Sequence, residues 1–193
     1  MDRKTSVACI SSFIRWTFLF DLCYNKNMEQ LVIQTKTTYS SCAFTGHRDL
    51  QADFSEKTLK KEIKRLIELG VTTFYTGMAV GFDLIAAELV LSFKKKYGLK
   101  LVCCIPFYGQ ESRFSDRDKK RYSNILKKAD EQIVFYQHYT KDCMFKRNRY
   151  MVDNADVLIT YCKRDTGGTA YTVRYFKQKK PLNEIVYVWF FKE

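Results

Sequence analysis

Three short apolar runs in this sequence each end at a glycine-containing turn and continue into a segment with helical character. The runs are SCAFTGHR (41–48), FYTGMAVGFDLIAAELV (74–90) and ITYCKRDTGGTAYTVRY (159–175). Strand-end glycine turns of this kind let backbone N–H groups and helix N-termini face a phosphate-bearing ligand. The repetition predicts an α/β protein with a Rossmann-like, doubly wound, mainly parallel sheet flanked by helices on both faces.

The remaining segments extend the same alternation of strands and helices. Strands are predicted at about 41–44, 73–76, 100–105, 132–136, 157–161 and 185–189, and helices at about 53–69, 81–97, 116–129, 142–155 and 169–179. This order is typical of a parallel sheet covered on both faces. Right-handed crossovers would place every strand-end loop on one edge of the sheet.

Length and charge limit the organisation of the chain. With 193 residues, it can form one sizeable domain, predicted at 38–193, and an N-terminal extension at 1–37. The extension could be an arm that docks on the body or on another subunit, as in a homo-oligomer, or Met28 could be the start of the compact domain. The net charge of +12 favours an anionic partner, although most lysine runs fit solvated helix faces.

The cysteine pattern indicates a reduced, cytoplasmic protein. The seven cysteines form no CxxC pair, and most lie in or beside predicted strands, as buried thiols do. The two histidines, His47 and His138, are far apart, so a His/Cys metal site is not expected. The apolar stretch at 9–20 is too short to span a bilayer and is interrupted by Arg15. We therefore predict no membrane association, no metal and no resident cofactor.

The loop after the first strand carries Thr45, Gly46, His47 and Arg48. Arg48 can hold a phosphate or carboxylate through two hydrogen bonds, and His47 can donate or accept near neutral pH. These residues also fit a tight turn with a solvent-facing arginine and a structural histidine. Both interpretations stay open on the sequence.

The turn after the second strand has a glycine at each end (77–81) and is followed by Asp83 and Glu88. Gly77 would allow the backbone to approach a ligand. Asp83, in the first helical turn, could cap the helix or bind ribose hydroxyls. Glu88 lies in a nearly continuous apolar stretch, and a partly buried carboxylate needs a partner, either Arg48, Arg147 or a ligand.

Three further segments could contribute to the same edge of the sheet. Residues 165–169 form a compact anion-binding nest at the head of the last helix. Phe107 or Tyr108 could stack on a base or close over the core. Arg147 and Arg149 lie on different faces of their helix, so at most one of them points inward.

Five motifs in order resemble the YpsA-like branch of the SLOG (SMF/DprA–LOG) superfamily: CAFTGHR, TGMAVGFDLIAAE, CIPFYGQESRFSDRDKKRY, CMFKRNRYMVDNADVLITY and GGTAYTVRY. The resemblance covers about 41–188 and implies a Rossmann-like domain that binds nucleotides or nucleotide-derived ligands. The pocket residues that it implies are Gly46, His47, Arg48, Gly77, Gly81, Asp83, Glu88, Arg147, Asn148, Gly167, Gly168 and Thr169. The LOG phosphoribohydrolases have a glutamate after their last glycine loop, and this chain has none in TGGTAYT, which weakens any inference of hydrolysis.

Three functions therefore compete. The first is binding or sensing of a nucleotide-derived small molecule, such as an ADP-ribose-like ligand. The second is hydrolysis of, or transfer from, a nucleotide, with Glu88 or Asp83 as general base or oxocarbenium stabiliser. The third is DprA-like binding of nucleic acid, which is less favoured because no basic-aromatic stripe is apparent in the sequence. Whether the protein is an enzyme is left open.

Overall fold

The computed structural model describes residues 39–189, and the extension predicted for 1–37 lies outside the described residues. Six strands form one sheet, in which every pairing is parallel. The strands are β1 (Ser41–Gly46), β2 (Thr73–Thr76), β3 (Lys100–Ile105), β4 (Glu131–Val134), β5 (Val157–Tyr161) and β6 (Ile185–Tyr187). The helices are α1 (Glu56–Glu68), α2 (Phe82–Tyr97), α3 (Asp116–Lys128), α4 (Cys143–Asp153) and α5 (Gly167–Lys179), with a 3-10 turn at Gln110–Arg113.

Helices cover both faces of the sheet. Alternate residues of β1 point to opposite sides, so that Cys42 and Phe44 pack with α1, α2 and α3, whereas Ala43 packs with α4 and α5. Helix α2 is apolar on nearly all sides in its first half, and seven of its residues between Phe82 and Val90 are buried. The predicted doubly wound α/β class is confirmed.

The strand order β4-β3-β2-β1-β5-β6 sets the position of the candidate site. From β1 the chain progresses outward through β2, β3 and β4, and it then crosses to the other side of β1 to form β5 and β6. The sheet order thus reverses between β1 and β5, whose register pairs Gly46 with Tyr161 at the carboxyl ends. In open parallel sheets a crevice forms at such a reversal, outside the carboxyl ends of the strands.

Within residues 39–189, no helix is long and apolar enough to cross a membrane, and no group of three or more metal-ligating side chains is present. The cysteines on the strands are free thiols in the core, as expected from their apolar surroundings. Burial raises the pKa of Cys103 to about 12, which keeps this thiol protonated at neutral pH.

Candidate functional site

A cleft of about 510 Å³ lies at the carboxyl ends of β1 and β5. It brings together the loop after β1, the start of α2, the inner face of α4 and the loop that leads into α5. Of the thirteen sequence-predicted site residues, ten line this cleft: Thr45, Gly46, His47, Arg48, Asp83, Arg147, Asn148, Gly167, Gly168 and Thr169. The remaining three are Gly77, Gly81 and Glu88.

Gly77 and Gly81 do not line the cleft, but their lack of a side chain allows residues that do line it to pack against their backbone. Gly81 has a φ of +80°, and a Cβ there would overlap the backbone carbonyl of Arg48. A Cβ on Gly77 would overlap the guanidinium of Arg147 and the carboxylate of Asp83. These glycines therefore set the positions of the side chains that line the cleft.

Asp83 and Arg147 form a buried, oppositely charged pair of groups at the base of the cleft. Their side chains are 5% and 6% exposed. Burial raises the pKa of Asp83 to about 6, although the charge of Arg147 and a hydrogen bond from the Ala79 N–H act in the opposite direction. Burial also lowers the pKa of Arg147 from its usual value. Among the described residues, Asp83 Oδ1 and Arg147 Nε have no hydrogen-bond partner.

The N-terminus of α5 is held in place from below by a short chain of hydrogen bonds. Asn148 Nδ2 donates to Thr172 Oγ1 at 2.8 Å, and Thr172 Oγ1 donates to the carbonyl oxygen of Gly168 at 2.8 Å. At the cleft side, the N-cap Thr166 makes no side-chain capping bond, and the first turn, as described, has no acidic residue. The first N–H groups of this helix and its positive dipole end are therefore suited to an anion.

His47 braces two loops across the reversal point. Its backbone N–H donates to the Tyr161 carbonyl at 3.3 Å, and its ring Nε2 accepts from the Lys163 backbone N–H at 2.9 Å. Burial, followed by the nearby charge of Arg164, lowers the pKa of His47. A neutral ring that accepts at Nε2 carries its proton on Nδ1, so His47 is a neutral residue of the cleft lining that connects the two loops, rather than a cation.

Several residues that the sequence did not single out also line the cleft: Asp49, Tyr139, Lys141, Phe145 and Arg164. Tyr139 and Phe145 are 64% and 41% exposed, and either ring could stack on a base. Phe107, for which both base stacking and closure over the core were open, packs edge-on against Tyr139, with the ring centroids 5.5 Å apart. Arg164 lies three residues after the end of β5, so its position in a strand-end loop was the signal that could have identified it.

Glu88 lies outside the cleft. Its carboxylate receives two hydrogen bonds from Arg121 of α3, at 2.8 and 2.7 Å, and its side chain is 42% exposed. It lines a separate groove between α2 and α3. Its partner is therefore Arg121, and not Arg48 or Arg147 as the sequence suggested, and Asp83 is the one of the two candidate carboxylates that faces the cleft.

Comparison with known proteins supports this architecture. The sequence profile described as the YspA SLOG family matches residues 31–190. The UPF0398 protein of Bacillus pumilus is 31% identical over 120 residues, which is 60% of this chain and 64% of that protein. UPF0398 protein BH1768 of Halalkalibacterium halodurans is 28% identical over 139 residues, which is 70% of this chain and 74% of that protein.

Two solved structures share the fold. DNA processing protein A (DprA) of Streptococcus pneumoniae aligns with a TM-score of 0.54 and 19% identity, covering 74% of this chain and 48% of its own. DprA of Helicobacter pylori, described with a single-stranded DNA binding mode, aligns with a TM-score of 0.58 and 21% identity, covering 78% of this chain and 66% of its own. At these identities the similarity concerns the fold alone.

Proposed function

We propose that this chain, which belongs to the YspA SLOG family, binds a phosphorylated, nucleotide-derived ligand of the ADP-ribose type in the cleft between β1 and β5. The observation that carries the proposal is the N-terminus of α5. It has no side-chain cap in the described structure, and it opens into the same cleft as the cationic side chains of Arg48, Arg147 and Arg164. Helix N-termini at the reversal point of a parallel sheet commonly bind phosphate through their N–H groups and dipole, which supports the proposal.

Each part of such a ligand has a matching group. A phosphate fits the backbone N–H groups of 167–169, with Arg48 and Arg164 exposed nearby in the lining. Asp83 Oδ1 is buried and lacks a hydrogen-bond partner among the described residues, so it can accept a hydrogen bond that a ribose hydroxyl donates. The exposed rings of Tyr139 and Phe145 fit a base.

A panel of ligands tests the proposal by thermal shift. AMP, ADP, ADP-ribose and NAD are compared with free ribose, since a ligand at about 100 times its dissociation constant stabilises the folded state by ~2.7 kcal/mol. Arg48→Ala should remove most of the ligand-induced shift, because Arg48 supplies positive charge to the cleft. The fold should be retained, since Arg48 is an exposed loop residue that contributes no core packing. Arg117→Ala is the matched control, an exposed arginine on α3 outside the cleft lining. Equal shifts in the two variants would refute the role of Arg48, and no shift with any phosphorylated compound would refute the proposal.

Turnover is a separate question with its own assay. Among the described residues, the cleft holds one buried carboxylate, Asp83, and the N-cap and first turns of α5 read TGGTAYT without a following glutamate. We therefore infer binding without hydrolysis. Incubating the protein with AMP, ADP-ribose and NAD, and measuring released base or ribose phosphate, tests this inference. Multiple-turnover release that is lost in Asp83→Asn would favour the hydrolase alternative.

One observation favours nucleic acid as a second candidate ligand. Helices α4 and α5 together present a stripe formed by Phe145, Tyr171, Tyr175 and Arg149, which we call the aromatic stripe. Phe145 and Tyr171 lie 4.6 Å apart by ring centroid, Tyr171 and Tyr175 are near-parallel at 6.2 Å, and Arg149 lies 5.7 and 5.8 Å from the two tyrosine rings. The aromatic stripe is not apparent in the sequence, because its members come from two separate segments that α4 and α5 bring together only in the fold. Stacked aromatics with arginine are the usual platform for single strands.

A further inference from the structure

A second cavity, of about 600 Å³, lies beside the cleft at the carboxyl ends of β5 and β6. Arg164 lines both cavities, and the loop that carries it connects β5 to α5. Both cavities therefore open along the same edge of the sheet, and one arginine is placed to contact a ligand that extends from one cavity to the other.

The lining of the second cavity is strongly cationic. It contains Lys163, Arg164, Arg174 and Lys177, and Asp165 is the one carboxylate among its described lining residues. Arg174 Nη1 donates to the carbonyl oxygen of Asp165 at 2.6 Å, which fixes the guanidinium at the cavity wall. Lys163 Nζ is ion-paired with Asp53 at 2.5 Å, so Arg164, Arg174 and Lys177 are the cations that make this cavity suited to an anionic group.

The same cavity has an aromatic side. Tyr187 and Trp189 pack edge-to-face with ring centroids 4.6 Å apart, and Tyr187 is 38% exposed. Lys177 Nζ lies 5.9 Å from the centre of the Tyr187 ring. Aromatic rings beside cations provide a surface on which a base can stack while its phosphate is neutralised.

From this geometry we infer that the second cavity is a subsite for the distal nucleoside phosphate of a dinucleotide, whose proximal half occupies the cleft and whose pyrophosphate passes Arg164. The inference rests on the proposed function and specifies its ligand class as two nucleosides joined through phosphates. Both cavities are within the size range of small-molecule sites, so each can accommodate one nucleotide. A nucleoside monophosphate such as AMP would use the cleft and leave the second cavity without a ligand.

Dissociation constants measured by isothermal titration calorimetry test the inference. The ligands are AMP, ATP and P1,P2-di(adenosine) pyrophosphate, so that added phosphates are separated from an added base. In the wild-type protein the dinucleotide should bind about tenfold more tightly than AMP, the gain expected from one stacked base. Tyr187→Ala should remove this advantage without changing the AMP or ATP constants, whereas Lys177→Ala should weaken both the dinucleotide and ATP.

Lys179→Ala is the matched control, because Lys179 lies on the same helix but contacts Tyr175 instead of the second cavity. Far-ultraviolet circular dichroism of each variant checks its fold. Equal binding of AMP and the dinucleotide by the wild type, or an unchanged advantage in both variants, would overturn the second subsite and leave the cleft proposal intact. Failure of every nucleotide to bind the wild type would overturn both proposals.

Discussion

The guanidinium of Arg147 lies directly against the backbone of Gly77, with Nη1 donating to the Gly77 carbonyl oxygen. Gln110 Nε2 donates to the same oxygen at 3.2 Å and to the Met78 carbonyl at 3.0 Å. The strained Met78, with a φ of +58°, follows in the same turn. One buried arginine from α4 therefore joins the turn between β2 and α2 to the opposite wall of the cleft.

Gly77→Ala should destabilise the protein by ~1–3 kcal/mol, the usual cost of overpacking. The new methyl group would overlap the Arg147 guanidinium and the Asp83 carboxylate, and both are buried. Urea unfolding measures the change. Gly168→Ala is the control, since the nearest atom to a Cβ there is Asn148 Nδ2 at 4.0 Å and its helical position favours alanine by up to ~1 kcal/mol. A Gly77→Ala variant as stable as wild type would contradict the close contact between Arg147 and Gly77.

The sequence predicted the sheet well, because strand ends marked by glycine and proline are local signals. The sequence predicted the boundaries of the helices less accurately than those of the strands. Helix α1 was predicted from about residue 53 but begins at Glu56, since Ser55 Oγ accepts from the Thr58 N–H and caps it. Helix α4 was predicted from about residue 142 and begins at Cys143, with Asp142, whose Oδ1 accepts from the Thr140 hydroxyl, at the N-cap position. The start of α1 therefore depends on a single side-chain hydrogen bond, which the sequence pattern alone does not determine.

The residues of the candidate site were predictable from the sequence where they lie in strand-end loops. They were not predictable where they lie on a helix, because the sequence does not show which face of the helix points to the cleft. Glu88 follows Asp83 by five residues, which places it about 140° away around the α2 axis. Asp83 therefore faces the cleft while Glu88 faces Arg121 of α3. The sequence also gave no indication that Tyr139 and Phe145 would approach the cleft, because α4 is positioned by tertiary packing against α5.

Glu88→Gln should leave ligand-induced stabilisation unchanged, because Glu88 lies outside the cleft. The half-exposed ion pair with Arg121 contributes no more than ~1 kcal/mol to stability, so the unliganded protein should lose less than this amount. Thermal shift with the best ligand from the nucleotide panel measures both effects. Asp83→Asn, assayed in parallel, should reduce the ligand shift. A larger loss of ligand binding in Glu88→Gln than in Asp83→Asn would reverse the assignment.

Asp83 should make the stability of the unliganded protein depend on pH in an unusual direction. Because burial raises its pKa from 3.8 to about 6, the folded state binds the proton that the unfolded state has already released between about pH 4 and pH 6. Stability from this group therefore falls as pH rises through that window. Relative to Asp83→Asn, the wild type should gain about 2 kcal/mol as pH is lowered from 7 to 4.5, measured by urea unfolding.

Asp156→Asn provides a control, because the pKa of Asp156 is shifted in the opposite direction to that of Asp83. Burial of Asp156 acts to raise its pKa, but hydrogen bonds from Ser40 and Ser41 outweigh burial and lower it. Its contribution to stability is therefore present above the unfolded-state value of 3.8 and is lost as pH falls below it. The wild-type advantage over Asp156→Asn should stay constant from pH 7 to 4.5. A pH-independent difference for Asp83→Asn as well would show that Asp83 is not desolvated.

A substitution in the aromatic stripe distinguishes binding of a small molecule from binding of a nucleic acid. If a single strand binds across Phe145, Tyr171 and Tyr175, then Tyr171→Ala should weaken a twelve-nucleotide strand by ~1–3 kcal/mol, the value of one stacked base, and leave AMP binding unchanged. Tyr97→Ala is a matched control, because Tyr97 on α2 likewise has a cationic side chain near its ring, with Lys96 Nζ 5.0 Å from the ring centre. Fluorescence anisotropy at several salt concentrations measures both affinity and charge contribution, since each phosphate contact on a single strand adds about −0.7 to the slope of log K against log salt.

Oligonucleotide binding that is steeply salt-dependent and lost in Tyr171→Ala, with no measurable AMP binding, would make nucleic acid the primary ligand. Equal effects of Tyr171→Ala and Tyr97→Ala would exclude the aromatic stripe from binding and leave the nucleotide cleft as the functional site.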